Sequence, residues 1–168
     1  MNEEKKVLRK GLTTGVHTCF AFWSVLDAFI VTKEFSFGKI NKIDNDDLDV
    51  TKGCEIVVSI SNIKDDLEFN ELSLTPQRVE IGTNSLEIYA GIGVGVVTKK
   101  GLKIKPNFPA INPVPLENMQ KIFEKKVKDL ENINIFCTVS VTNGEEIAKQ
   151  TANSKVGVIG GISILGTT

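Results

Sequence analysis

The chain has 168 residues, which suits one domain, or one domain and a fragment of a second. Hydrophobic residues make up 41% and charged residues 24%, so the chain can bury a core and does not have the composition of a disordered protein. Lysine and arginine number 20 against 21 aspartate and glutamate, a formal net charge of -1. This balance argues against nucleic acid as a partner.

The three cysteines, Cys19, Cys54 and Cys137, are odd in number and each lies in an apolar stretch. Buried thiols in a reducing compartment explain this better than a disulfide framework, so we expect a cytoplasmic protein. The apolar stretch at residues 19–31 follows several basic residues, but it contains Asp27 and has no small-residue cleavage site. It is also shorter than the ~20 residues that a membrane span needs, so no membrane partner is predicted.

Apolar periodicity predicts a helix over residues 16–30, with Thr13 or Thr14 as its cap. Its expected buried face consists of Phe20, Trp23, Leu26, Phe29 and Ile30. The β-branched run CEIVVSIS at residues 54–61 predicts a buried strand. RVEI and LEIYAGIGVGVV predict two more strands.

Four prolines in PNFPAINPVP exclude a helix and a central strand there. An amphipathic helix follows from Leu116, with Met119, Phe123 and Val127 on its apolar side and lysines and glutamates opposite. A strand, a short helix and a closing apolar run complete the chain. This order predicts an α+β fold, a two-layer sandwich of a mixed sheet with helices on one face.

The glycines of AGIGVGVV alternate with apolar residues, at Gly91, Gly93 and Gly95. A dinucleotide fingerprint needs G-x-G-x-x-G at the start of a helix, so this spacing excludes an NAD-dependent enzyme. Glycines at period two lie on one face of a strand. Two interpretations stay open: a neighbouring element packs closely there, or a flat ligand does.

The acidic stretch DNDDLDVTKG does not have the ligand spacing of a calcium-binding loop. It is either a solvated loop or a site that orients a cationic ligand. The only histidine, His17, has no set of metal ligands around it, so we expect it to be packed or capped and expect no protein-bound metal. The sequence also contains no nucleophile elbow and no P-loop.

Five blocks in order resemble the cobalt-precorrin-5B C1-methyltransferase family, the CbiD type, over essentially the whole chain. They are GLTTG at residues 11–15, DDLDVTKG at 46–53, GIGVGVVTKKGL at 91–102, PAINPVP at 109–115 and VGVIGGISILGTT at 156–168. Family members usually continue past the last block. The resemblance therefore implies an N-terminal domain at residues 1–155, the start of an interdomain or second-domain segment at 156–168, and a missing C-terminal domain or partner chain.

The resemblance also implies cobalamin biosynthesis, with methyl transfer from S-adenosylmethionine to C1 of a cobalt-bearing tetrapyrrole. The substrate-binding positions that it suggests are Thr13, Thr14, Gly15, Gly91, Gly93, Gly95, Thr98, Lys99 and Asn112. For the methyl donor it suggests Asp46, Asp47, Asp49, Gly160, Gly161, Ser163, Gly166, Thr167 and Thr168. Carboxylates suit a cationic sulfonium on charge grounds, and no catalytic residue is assigned.

A second class of function stays open at this point. The chain can also be a truncated, non-catalytic paralogue or fragment that binds a tetrapyrrole or a partner chain without turnover. Apolar residues at 159–165, if exposed, would favour a homo-oligomer or a docked second polypeptide.

Overall fold

A mixed five-stranded β-sheet forms the centre of the domain in the computed structural model, which describes residues 12–43 and 50–166. In chain order the elements are α1 (Thr14–Thr32), β1 (Ser36–Asn41), β2 (Glu55–Ser61), β3 (Gln77–Ile81), β4 (Asn84–Ala90), β5 (Gly93–Val94), β6 (Val96–Val97), α2 (Pro113–Val127), β7 (Asn134–Val141), α3 (Gly144–Ala148), α4 (Asn153–Val156), β8 (Val158–Ile159) and β9 (Gly161–Ile162). The strand order is β1-β2-β7-β4-β3, with β4 and β7 parallel and the other neighbours antiparallel. The α+β fold is confirmed.

Alternation along the central strands separates a face covered by α1 and α2 from a more polar face. In β2 the side chains of Ile56, Val58 and Ile60 are fully buried, whereas Val57 and Ser59 between them are only half-buried. The predicted strand at residues 54–61 is thus confirmed as β2. The sequence did not predict β1, which lies at the sheet edge and has no fully buried residue.

The helix predicted at residues 16–30 is confirmed as α1, but two of the five residues of its predicted buried face are exposed. Leu26 and Phe29 are buried, whereas Phe20 is 59% exposed and Trp23 is 38% exposed. The buried face is instead completed by Ala21, Phe22 and Val25. Because α1 carries apolar residues around most of its circumference, periodicity alone could not identify the side that meets the sheet.

The helix α2 begins at Pro113, inside the proline-rich stretch that was predicted to exclude a helix. The prediction was wrong because Pro113 and Pro115 lie in the first turn, where a backbone N–H has no intrahelical partner to lose. Met119, Phe123 and Val127 are buried as predicted. Asn84 fastens the end of α2 to the sheet, because its amide group donates to the Leu130 carbonyl at 2.9 Å.

The glycine-rich stretch was predicted to continue one strand, but the chain leaves the central sheet after Ala90. Two short strands follow in separate small sheets: β5 pairs with β9, and β6 pairs with β8. These pairings draw residues 157–166, which we call the C-terminal segment, into the domain. Within it Ile162 and Ile164 are almost fully buried, whereas Ile159 and Leu165 are partly exposed.

Among the residues that the structure describes, α1 is long and apolar enough to cross a membrane by length and composition. Half of its most apolar window is buried inside the domain. It packs there against β1, β2 and α2, as the core helix of a globular domain does.

Candidate functional site

The first turn of α1 binds the C-terminal segment through the GLTTG block. Thr13 caps the helix, and its hydroxyl accepts a hydrogen bond from the Val16 N–H at 3.2 Å. Thr14 is 3% exposed, and its hydroxyl accepts from the Leu165 N–H at 2.8 Å. The Gly15 N–H donates to the Leu165 carbonyl, also at 2.8 Å. Thr14 and Gly15 therefore hold both backbone polar groups of Leu165.

The start of α2 meets the same segment from the other side. The Asn112 N–H donates to the Ile164 carbonyl at 2.9 Å, and the Ile164 N–H donates to the Ala110 carbonyl at 2.8 Å. A Cβ added to Gly15 would meet the Pro115 side chain at 3.0 Å, and one added to Gly166 would meet it at 2.8 Å. Close approach thus needs glycine at both positions.

Three of the five blocks consequently meet at one place, although they lie far apart in the sequence. We call this place the motif junction, formed by Thr13, Thr14, Gly15, Asn112, Leu165 and Gly166. Thr13, Asn112 and Gly166 remain half-buried rather than enclosed. Solvent therefore reaches part of the junction, and backbone hydrogen bonds hold its parts together.

His17 ties the motif junction to the chain that enters the acidic stretch. It is 1% exposed; its Nδ1 lies 2.7 Å from the Thr13 carbonyl oxygen, and its Nε2 accepts from the Ile43 N–H at 3.0 Å. A carbonyl only accepts and an amide N–H only donates, so the ring is neutral with its proton on Nδ1. The prediction of a packed histidine is confirmed, whereas its contact with Ile43 was not predicted.

Five of the residues predicted to bind the methyl donor lie outside the described residues, namely Asp46, Asp47, Asp49, Thr167 and Thr168. The two ends of the acidic stretch are nevertheless anchored close together. The Lys42 N–H donates to the Cys54 carbonyl at 2.8 Å, and His17 holds the next residue, Ile43. Both anchors lie at the end of the β1–β2 pair beside the start of α1.

The three alternating glycines pack against the protein itself, which is the first of the two interpretations of their pattern. A Cβ on Gly91 would collide with the Ser140 hydroxyl, one on Gly93 with the Val141 carbonyl, and one on Gly95 with the Val158 side chain. All three residues are buried. Their missing side chains make room for β7 and β8, not for a flat ligand.

Thr98 and Lys99 lie at the other end of the C-terminal segment from the motif junction. The backbone N–H and the hydroxyl of Thr98 both donate to the Gly157 carbonyl, at 2.7 and 2.8 Å. The Lys99 side chain packs over Gly157, which has a φ of +92°. These two residues fasten the segment, and they do not join Asn112 in one cluster.

Gly160 and Gly161 lie midway along the segment, against Asn70 and Gly93 respectively. Asn70 was missed by the sequence analysis; its side-chain amide donates to the Val94 carbonyl at 2.9 Å and its Oδ1 accepts from the Leu72 N–H at 3.0 Å. Ser163 is half-buried, and its hydroxyl bonds to no other residue in the described parts of the chain.

Two grooves are open beside these elements. The first, which we call the α1–α2 groove, has a volume of about 580 Å³ and is lined by Val16, Cys19, Phe20, Trp23, Lys121 and Ile122, among others. It starts at Val16, directly after Gly15 of the motif junction. The second, the sheet-face groove, has a volume of about 460 Å³ and lies on the side of the sheet opposite α1 and α2, over Ser59, Thr138 and Ser140.

Burial keeps the cysteines near these sites unreactive. It raises the pKa of the Cys19 thiol from 9.0 to about 11, and it also raises the pKa of Cys137. The thiolate is the reactive form, so neither is a nucleophile near neutral pH. No three His, Cys, Asp or Glu side chains among residues 12–43 and 50–166 come together as a metal site.

Comparison with known proteins finds the CbiD family over residues 23–168. The cobalt-precorrin-5B C(1)-methyltransferase of Methanococcus maripaludis strain C5 is 40% identical over 77% of this chain and 32% of its own length. The enzyme of the same name from Thermoanaerobacter sp. strain X514 is 33% identical over 99% of this chain and 47% of its own. The chain thus spans half or less of the length of these curated relatives.

A solved structure agrees with these sequence matches. The crystal structure of a cobalamin biosynthesis protein (cbiD) from Archaeoglobus fulgidus superposes with a TM-score of 0.60 at 25% sequence identity. The match covers 96% of this chain and 53% of that one. Family match, relatives and fold agree, and the chain belongs to the CbiD family.

Proposed function

We propose that this chain is part of an enzyme of cobalamin biosynthesis that methylates cobalt-precorrin-5B at C1, with S-adenosylmethionine as the donor. The curated relatives carry the name of this reaction. The observation that carries the proposal is the motif junction, where Thr14 and Gly15 hold Leu165 beside Asn112. Residues that only built a core would be buried, whereas Thr13, Asn112 and Gly166 are half-buried.

The chemistry asks for positioning more than for a nucleophile. In the transfer, the methyl–sulfur bond breaks with its electron pair left on sulfur as a thioether. An electron pair of the macrocycle forms the new carbon–carbon bond, and the ring takes over the positive charge. A protein accelerates such a displacement by holding the two reactants in line and excluding water. The neutral thiols of Cys19 and Cys137 fit a direct transfer without a covalent enzyme intermediate.

We place the sulfonium of the donor near the acidic stretch. Negative charge stabilises a cationic ligand, and Asp46, Asp47 and Asp49 are three carboxylates in four residues. The support is the anchoring of Ile43 by His17 next to the motif junction. Replacing Asp47 with Asn should weaken S-adenosylmethionine binding; unchanged affinity for donor and tetrapyrrole would remove this placement.

We also propose that a further part of a family-length protein, in the same chain or in a partner chain, completes the site. The support is the length of the relatives, of which this chain spans 32 to 47%. The side chains of Ile159, in β8, and Leu165, in the motif junction, are partly exposed on the C-terminal segment and offer apolar contacts for it.

A chimaera tests the proposed activity. This chain replaces the matching half of the Methanocaldococcus jannaschii relative, which is 32% identical over 98% of the chain. With methyl-labelled S-adenosylmethionine and cobalt-precorrin-5B, label should enter the macrocycle, with the unaltered relative as positive control. A folded chimaera that binds the tetrapyrrole but transfers no label would favour the non-catalytic alternative.

A further inference from the structure

The α1–α2 groove presents an apolar, aromatic surface on the side of the helices that faces away from the sheet. Its floor contains Phe20, which is 59% exposed, and Trp23, which is 38% exposed, together with Val16 and Ile122. The outer face of a helix in a two-layer domain is normally polar. A volume of about 580 Å³ in an open groove suits one edge or face of a broad molecule.

Lysines line the rim of this groove. Lys126 pairs with Asp27 at 2.7 Å, and its ammonium lies 4.0 Å from the centre of the Trp23 ring. Lys125 lies 5.4 Å from the same ring centre. Neither Lys121 nor Lys125 forms an ion pair with any residue in the described stretches. The described residues that line the groove thus include the Lys121 ammonium and no carboxylate, and Lys125 adds a second unpaired ammonium beside Trp23.

The sheet-face groove has the opposite character. Its lining carries the carboxylates of Asp66 and Glu68 against the single ammonium of Lys39, and Lys39 already lies 3.8 Å from Glu55. A ligand with several carboxylates would be repelled there. Charge thus favours the α1–α2 groove for a polyanionic ligand and disfavours the other.

We propose that the α1–α2 groove binds a planar tetrapyrrole with carboxylate side chains. The ring lies against Phe20 and Trp23, and its carboxylates reach Lys121 and Lys125. Aromatic side chains contribute large contact areas to flat apolar ligands, and lysines bind carboxylates as point charges. The identity of the ligand rests on the proposed function, whereas its planar, polyanionic chemistry rests on the groove.

The position of the groove connects it to the motif junction. Val16 follows Gly15 directly, and the Cys19 thiol donates to the Pro115 carbonyl at 3.6 Å. One end of the groove is therefore built by the turns of α1 and α2 that hold Leu165 and Ile164 respectively. A macrocycle in the groove has one edge next to the motif junction.

The single tryptophan of the chain makes the proposal measurable, since Trp23 lines the groove. Uroporphyrin is a planar tetrapyrrole with carboxylates on every pyrrole, and titration with it should quench the Trp23 fluorescence to saturation. Free tryptophan titrated in the same way corrects for light that uroporphyrin absorbs. A variant that carries both Lys121→Glu and Lys125→Glu should bind uroporphyrin at least about tenfold more weakly. The matched control Lys39→Glu, on the sheet-face groove, should change it less than about twofold.

Several results would overturn the proposal. These are no quenching by a chain whose circular dichroism shows it folded, equal loss in the Lys39→Glu variant, or unchanged binding after both charge reversals. Dimerisation abolished by Phe20→Asp would assign the groove to a second copy of the chain. Uroporphyrin has no part in methyl transfer, so its binding and the activity of the chimaera can fail independently.

Discussion

The bond between Thr14 and Leu165 should contribute measurably to stability, and Thr14→Val removes it with little change in shape. A net hydrogen bond is worth about 1 kcal/mol, and an unsatisfied buried partner costs about 1–3 kcal/mol. Leu165 is 42% exposed, so water can reach part of its backbone. We therefore expect Thr14→Val to lower the free energy of unfolding by about 1.5 kcal/mol. In a chain of this size that lowers Tm by about 3–6 °C.

Urea unfolding followed by Trp23 fluorescence measures the loss, and hydrogen exchange at the Leu165 amide localises it. Thr18→Val is the matched control, because Thr18 is equally buried and its hydroxyl donates only to the Thr14 carbonyl at 2.8 Å, within its own helix. That change should cost less than about 0.5 kcal/mol. Equal losses in the two variants, with unchanged exchange at Leu165, would refute the assigned role of Thr14.

Three further outcomes follow from the structure. Gly93→Ala should cost more than about 2 kcal/mol in urea unfolding, because Gly93 has a φ of +85° and its side-chain position is filled by the Val141 carbonyl. Gly82→Ala, at a φ of +60° in open space, should cost about 1 kcal/mol, and equal costs would contradict the packing argument. Burial raises the pKa of Cys19 from 9.0 to about 11, so its alkylation in the folded chain should keep rising above pH 9, where that of the urea-unfolded chain levels off. A plateau near pH 9 in the folded chain would be the contrary result. Nitrogen NMR of His17, the only histidine, should show the proton on Nδ1, and a proton on Nε2 would break the link to Ile43.

The sequence predicted best the elements whose apolar residues clearly indicate which part is buried. Strand β2 was predicted from its β-branched run, and helix α2 from its apolar side with the correct buried residues Met119, Phe123 and Val127. The helix α1 is apolar nearly all round, so its packing partner decides which face is buried. The start of α2 was missed because proline at Pro113 is unfavourable in a helix interior but favourable in its first turn.

The sequence predicted which blocks contribute to the candidate site, but not which of them meet in space. Thr14 and Asn112 do meet at the motif junction, whereas Thr98 holds the opposite end of the C-terminal segment. Block order along the chain carries no information on which backbone groups pair. The period-two glycines were equally compatible with a ligand and with close packing, and only the positions of β7 and β8 separate the two.

Amide NMR shifts on adding uroporphyrin to the isotope-labelled chain test the central claim most directly, namely that the motif junction and the α1–α2 groove form the surface that faces the tetrapyrrole. We predict that the largest shifts occur at Gly15, the Trp23 indole N–H and Leu165. Shifts concentrated instead at Ser59 and Ser140, over the sheet-face groove, would contradict the account.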